Sequence, residues 1–296
     1  MRVLRGRKRE MAEGDDSIAL LIPRNLRAHI TASALQTRYI NLHLYNLYTD
    51  IKLADGGMNI DTLGIGSDFG RLGMNLKYDT RDMQNMNMGA HVDVADVNVV
   101  NFFKNFHDLL EMMPEMKNFK GNLSATMNTD MLIFPSMYLN VPSVWADAYV
   151  RAWGMNVHQS PFIRKVTRRL LLPEDDNLHI RDITVHAGIR NNLLEVYPFE
   201  FEMSKYKLML GGINNFNGEI YYHVGVIDWP LKIPFGINID GDFHNPKLHF
   251  GGKSWHDKNG ARIAIGVDDN TRINILSMGR RYMGEFVHTA ATYQGE

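Results

Sequence analysis

The sequence contains no cysteine. Disulfide scaffolds, thiolate metal sites and cysteine nucleophiles are thereby excluded. It has no charge excess either. The formal net charge is -1, whereas a dedicated nucleic-acid-binding domain is usually strongly basic, so nucleic acid is not an expected partner. No window approaches the ~20 consecutive apolar residues of a membrane-spanning helix. The opening Met1-Arg2-Val3-Leu4-Arg5-Gly6-Arg7-Lys8-Arg9 is basic, but no apolar stretch follows it, so it does not read as a secretory signal. Neither a signal nor an anchor is therefore expected in this sequence. Enzyme signatures are missing too: there is no Gly-x-Ser-x-Gly elbow and no His-Glu-x-x-His pair. The expectation is a protein without bond chemistry and without a cofactor.

What is present is period-two alternation, the mark of strands with one apolar face. Leu26, Ala28, Ile30 and Ala32 alternate with Arg27, His29 and Thr31. Ile40, Leu42 and Leu44 continue, then the phase slips before Leu47, Ile51 and Leu53, which predicts a bulge or bend. Asp55-Gly56-Gly57 is a tight-turn signal, and Met58 and Ile60 begin the return strand. Leu72, Met74 and Leu76 make another strand, and 86–94 one more. From 178 onward the alternation is strongest, with turns at Asn191-Asn192, 214–218 and Asn245-Pro246. Leu178 and Ile180 join Ile183 to Ile189 in one predicted strand. Ala261 to Val267 and Thr271 to Ile275 form a final hairpin. Methionine is frequent, 18 in all, and many fall on the apolar side of these strands, where the side chain fills irregular apolar space.

Two helices are expected. Asp96 reads as an N-cap, and Val99, Phe102, Phe103, Phe106, Leu110 and Met113 follow at helical spacing until Pro114. Ser160 with Pro161 opens the second, which runs to Leu172. The chain divides into a disordered basic start (1–20), a β-meander ending in a helix (21–115), a β-groove region (116–253) and a terminal hairpin and tail (254–296).

Local clusters carry little chemistry. Asp240, Asp242 and His244, with His249 nearby, share a strand face as metal ligands would, but a solvated strand face explains them more simply. His107 and Glu111 lie one helical turn apart without further ligands, so no metal is expected. Gly64-Ile65-Gly66-Ser67-Asp68-Phe69-Gly70 is flanked by strands on both sides, which fits a turn and not a nucleotide loop. The second helix is basic, with Arg164, Lys165, Arg168 and Arg169, and such a helix can meet an anionic membrane surface.

A meander of this length cannot stay flat, because neighbouring strands twist by about 20–25°. It closes, stacks as a sandwich, or curls into an open trough, and alternation alone does not choose among these. The apolar positions Ile183, Val185, Ile189, Phe199, Phe201, Leu208, Leu210, Ile220, Tyr222, Val224, Ile237 and Ile239 are core in the first two cases and line a groove in the third.

Two stretches add a resemblance. One is Leu21-Ile22-Pro23-Arg24-Asn25-Leu26, the strands after it, Leu53-Ala54-Asp55-Gly56-Gly57-Met58 and Lys77-Tyr78-Asp79-Thr80. The other is Phe119-Lys120-Gly121-Asn122-Leu123, the Pro161 helix, Gly188-Ile189-Arg190-Asn191-Asn192-Leu193, Pro198-Phe199-Glu200-Phe201, Tyr206 to Gly212 and Pro246 to Gly252. In order and spacing this pattern resembles the later part of AsmA-like proteins. The resemblance implies an all-β fold, an elongated curled antiparallel sheet forming an open trough with an apolar groove, plus two short helices. It implies a periplasmic, cell-envelope protein that binds phospholipid acyl chains and contributes to lipid transport and outer-membrane biogenesis. Envelope membranes and outer-membrane assembly proteins are the implied partners. It turns the twelve apolar positions above into lipid-groove candidates. The other reading is a structural module of outer-membrane assembly without lipid binding.

Overall fold

The computed structural model describes residues 20–251 apart from 40–41, 107–109, 111–113, 173–174, 205, 216–217, 229–234 and 243–244. His107, Glu111, His244 and the predicted hairpin at 261–275 lie outside the described residues. The rest is all-β: one antiparallel sheet of 14 strands with two short helices. The strands are β1 (Ala28–Tyr39), β2 (Leu42–Ala54), β3 (Gly57–Ser67), β4 (Gly70–Asp79), β5 (Met86–Asn98), β6 (Phe119–Ile133), β7 (Trp145–His158), β8 (Asn177–Ile180), β9 (Ile183–Arg190), β10 (Leu193–Met203), β11 (Tyr206–Asn215), β12 (Glu219–Asp228), β13 (Phe235–Asp242) and β14 (Pro246–Gly251). Helix α1 (Val99–Asn105) follows β5, and α2 (Pro161–Arg169) follows β7. Neighbours in sequence are neighbours in the sheet almost throughout. The sheet is continuous across 115/116, because β5 pairs with β6 over most of its length.

Turn chemistry sets the hairpins. Asp55 and Gly56 both have positive φ (46° and 73°), as do Asn191 and Asn192 (51° and 63°). Two positive-φ residues in sequence twist a two-residue turn with the flanking strands, and Asp, Asn and Gly tolerate that conformation best. The predicted phase slip before Leu47 is a bulge: Asn46 has φ 49°, and the β2–β3 register shifts between Tyr45 and Tyr48. Further shifts occur in β3–β4, β5–β6, β6–β7, β10–β11 and β11–β12. Each bulge bends its strand and adds twist, so the sheet curls.

Four expectations need correcting. The N-cap of α1 is Asn98, whose side chain accepts from Asn101 N at 3.0 Å. Asp96 instead sits within β5 at φ 55°, because the ladder with β6 carries on to Asn98. Helix α1 is also interrupted within its apolar pattern, ending at Asn105 with Phe106 as its C-cap, and Leu110 is helical again. The glycine-rich 64–70 stretch is mostly strand, and the turn is only Asp68-Phe69. The predicted strand 178–189 is two segments, β8 and β9. Both pair with β7 in the same register, Met155↔Ile180 and then Ala152↔Ile183, so they form one line broken at Arg181-Asp182. Opposite the break, Gly154 of β7 has φ 60°, a conformation that opens the strand locally.

The main core lies where the sheet wraps the two helices. Val99 and Phe103 of α1 and Leu170 just after α2 pack with Met155, Val157, Leu178, Ile180, Leu208, Val226 and Ile237. Phe162, Ile163 and Val166 of α2 add to it. A small second cluster joins Tyr78, Met86 and Ile133.

Candidate functional site

Directly opposed residues in a ladder point to the same face, so the pairing register identifies each face of the sheet. One row runs Ala32–Thr49–Leu63–Met74–Val92–Met127–Ala148–Ala187–Val196–Gly212–Tyr222–Ile239–Leu248, from the first strand to the last. Beside it runs Ile30–Ile51–Ile60–Leu76–Ala90–Thr129–Ala146–Ile189–Leu194. Ala28–Leu53–Met58–Tyr78–Met88–Met131 flanks it on one side. Ile65–Leu72–Val94–Ala125–Val150–Val185 flanks the first row on the other. This face is apolar along its length. The opposite face is polar: His29, Lys52, Asn59, Lys77, Gly89 and Asp130 form one of its rows.

The apolar face is covered unevenly. Helix α1 packs against β5 and β6, and both helices share a core with strands from β6 onward. In β1–β4, Tyr78 is the one buried hydrophobic residue among the described residues. Ile51, Ile60, Leu63, Met74 and Leu76 keep intermediate exposure, and Ile30 is 46% exposed. Among the described residues, the apolar floor is therefore closed by helices at one end and open over β1–β4.

The twelve groove candidates divide accordingly. Leu208, Ile220, Val224, Ile237 and Ile239 are buried in the core cluster beneath the helices. Ile183, Phe201, Leu210 and Tyr222 are partly buried against that cluster. Val185, Ile189 and Phe199 have intermediate exposure, and Val185 and Ile189 belong to rows that continue into the open part. The open floor itself, with Ile51, Ile60, Leu63, Met74 and Leu76, was not among the candidates. Its signal is the same alternation; what singles it out is that no helix lies above it among the described residues.

The four basic candidates on α2 also divide. Arg164 reaches Asp176 at 3.3 Å, and Arg169 Nη1 donates to the Leu248 carbonyl at 2.9 Å with its guanidinium 5.5 Å from the Phe250 ring centre. Lys165 and Arg168 are exposed.

Titratable groups with shifted behaviour are scattered over the sheet. Burial raises the carboxyls of Asp130 and Glu195, partly offset by the amide of Asn87 and by Arg190 respectively. Burial pushes the Tyr222 phenol up to about 12, and its hydroxyl donates to Asn214 Oδ1 at 2.8 Å on the apolar face. His223, on the other face of β12, is lowered by burial against the opposing bond to Asn238. His249 meets Asp240 at 3.3 Å, and no group of three metal-ligating side chains occurs among the described residues. No helix among them is long and apolar enough to cross a membrane.

Comparison with protein-family models, with curated proteins and with solved structures finds no match to this chain.

Proposed function

We propose that this chain is a segment of an AsmA-like cell-envelope protein that holds phospholipid acyl chains on the open part of its apolar face. It thereby contributes to phospholipid transport and outer-membrane biogenesis, by passive binding and without bond chemistry. The observation that carries this reading is the apolar floor of β1–β4, which no helix covers among the described residues. A contiguous apolar surface of several strands is costly in water and marks an interaction site. Acyl chains fit it because they need no polar partner, and each methylene buried contributes ~0.8 kcal/mol. The open part of the rows has useful width: at ~4.8 Å spacing four strands span about 15–20 Å, and the rows themselves run on beyond them. Met58, Met74, Met88, Met127 and Met131 lie in these rows, and flexible thioethers adapt to chains of different length and unsaturation. The exposed Lys165 and Arg168 of α2 suit an anionic membrane surface, where each such charge contributes ~1 kcal/mol.

The test is native mass spectrometry of protein expressed in the presence of membranes, followed by organic extraction. Stoichiometric phospholipid is expected. Ile60→Asp with Met74→Asp should abolish it, while Asn59→Asp on the polar face of the same strand should leave it unchanged. A folded wild-type protein free of lipid overturns the reading in favour of a structural module of outer-membrane assembly. That second reading draws on a different observation, the exposed outer edge of β1.

A further inference from the structure

Among the described residues, β1 is the outermost strand of the sheet, with only one of its edges paired. Its register with β2 is unbroken from Ala28↔Leu53 to Tyr39↔Leu42. The other edge meets no strand among the described residues. The segment leading into β1 does not fold over that edge. Ile22 N donates to Thr80 Oγ1 at 3.1 Å and Arg24 Nη2 to the Arg81 carbonyl at 3.3 Å, which ties the segment to the end of β4. From His29 to Arg38 every residue except Ala34 is exposed.

Sheet edges that stay single are guarded by shortness, proline, lysine or a covering group. The last described strand has such guards: β14 is 6 residues long, begins with Pro246 and Lys247, and receives Arg169 on its Leu248 carbonyl. Strand β1 has 12 residues, no proline, no lysine, and basic side chains only towards its ends, at His29 and Arg38.

We infer that β1 pairs antiparallel with β1 of a second copy of this chain, about a two-fold axis normal to the sheet. Two features make β1 a fitting partner for itself. The first is parity. Opposed residues share a face, and such an axis preserves faces, so Ile30, Ala32 and Ala34 of both copies fall on the same side in any allowed register. The apolar floor then runs unbroken from one copy into the other. The second is charge. With the axis anywhere from Ala32 to Ala34, Arg38 opposes Leu26, Ala28 or Ile30, and His29 opposes uncharged positions, so like charges do not meet. The inference rests on the edge alone and does not require the lipid reading.

Because the chain has no cysteine, a single introduced thiol reports on this contact alone. Sedimentation velocity of the wild-type chain from micromolar to near-millimolar concentration is expected to give twice the monomer mass. Single-cysteine variants from Ile30→Cys to Leu35→Cys, checked for folding by circular dichroism and then oxidised, are expected to cross-link at one position and fall off sharply on either side. At the axis the two Cα atoms stand ~4.5–5.5 Å apart, whereas one residue away like positions are about 8 Å apart, beyond the ~7 Å reach of a disulfide. A monomer at every concentration overturns the inference. A dimer without a cross-linking maximum in β1 overturns it as well. A monomer that still carries phospholipid overturns this inference while leaving the lipid reading in place.

Discussion

His223 lies on the polar face of β12 yet is only 1% exposed. Glycines make room for it: a Cβ on Gly236 would stand 2.6 Å from its Cε1, and one on Gly225 3.2 Å from its Nε2. Its Nδ1 meets Asn238 Oδ1 at 2.7 Å, which makes Nδ1 the donor, and Nε2 has no partner among the described residues. Protonation would place a second N–H at that unsatisfied position, so the neutral ring is favoured and burial lowers its pKa from 6.5. The sign for stability follows. Below pH 6.5 the unfolded chain takes up a proton that the folded chain refuses. The unfolded state then binds more protons, so stability is complete above that pH and falls as the pH drops through the lowered folded value. A melting temperature that declines from pH 6.5 downward, with a shallower decline in His223→Gln, is the expected result of thermal scans across that range. Equal pH dependence in both proteins would remove His223 from the account.

At the scale of the element, α2 closes one end of the apolar floor, and Ser160 fixes where it begins. The Ser160 hydroxyl accepts from Ile163 N at 3.1 Å and donates to Glu115 Oε2 at 2.6 Å. It therefore caps the helix and ties it to the 3-10 turn Pro114–Asn118. Ser160→Ala is expected to cost about 1 kcal/mol, read as a lower urea midpoint with an unchanged slope. An unchanged midpoint would mean that packing of Phe162, Ile163 and Val166 alone holds the helix. This cap was legible in the sequence because Ser-Pro before a basic amphipathic run has few other uses. The α1 cap was not, because Asp96 and Asn98 have nearly equal capping chemistry and only the length of the β5–β6 ladder decides between them.

For the molecule as a whole, the two ends of the sheet differ in how firmly they are held. Strands β7–β14 share a core with both helices, whereas β1–β4 hold their apolar residues half-buried. Local stability follows buried apolar contact. Amide hydrogen exchange is therefore expected to be fastest in β1, faster in β2–β4 than in β11–β13, and to slow in β2–β4 when phospholipid is bound. Uniform protection across the sheet would show that the open face is stabilised in another way. The curl itself belongs to this scale, since it accumulates from strand twist and from bulges spread through the sheet.

Alternation by itself determined the strands, their meandering order and the existence of one apolar face, because side chains in a strand switch sides at every residue. Turn residues with positive φ determined where hairpins close, at Asp55-Gly56 and Asn191-Asn192. Which part of the apolar face is covered was decided only by tertiary structure. Leu208 and Met74 occupy equivalent alternating positions, yet one is 1% exposed under the helices and the other faces an open floor. The difference lies in where α1 and α2 come to rest, and that is a contact between distant segments that no local pattern records. The break between β8 and β9 has the same origin: it answers a glycine on the neighbouring strand, not a signal in its own sequence.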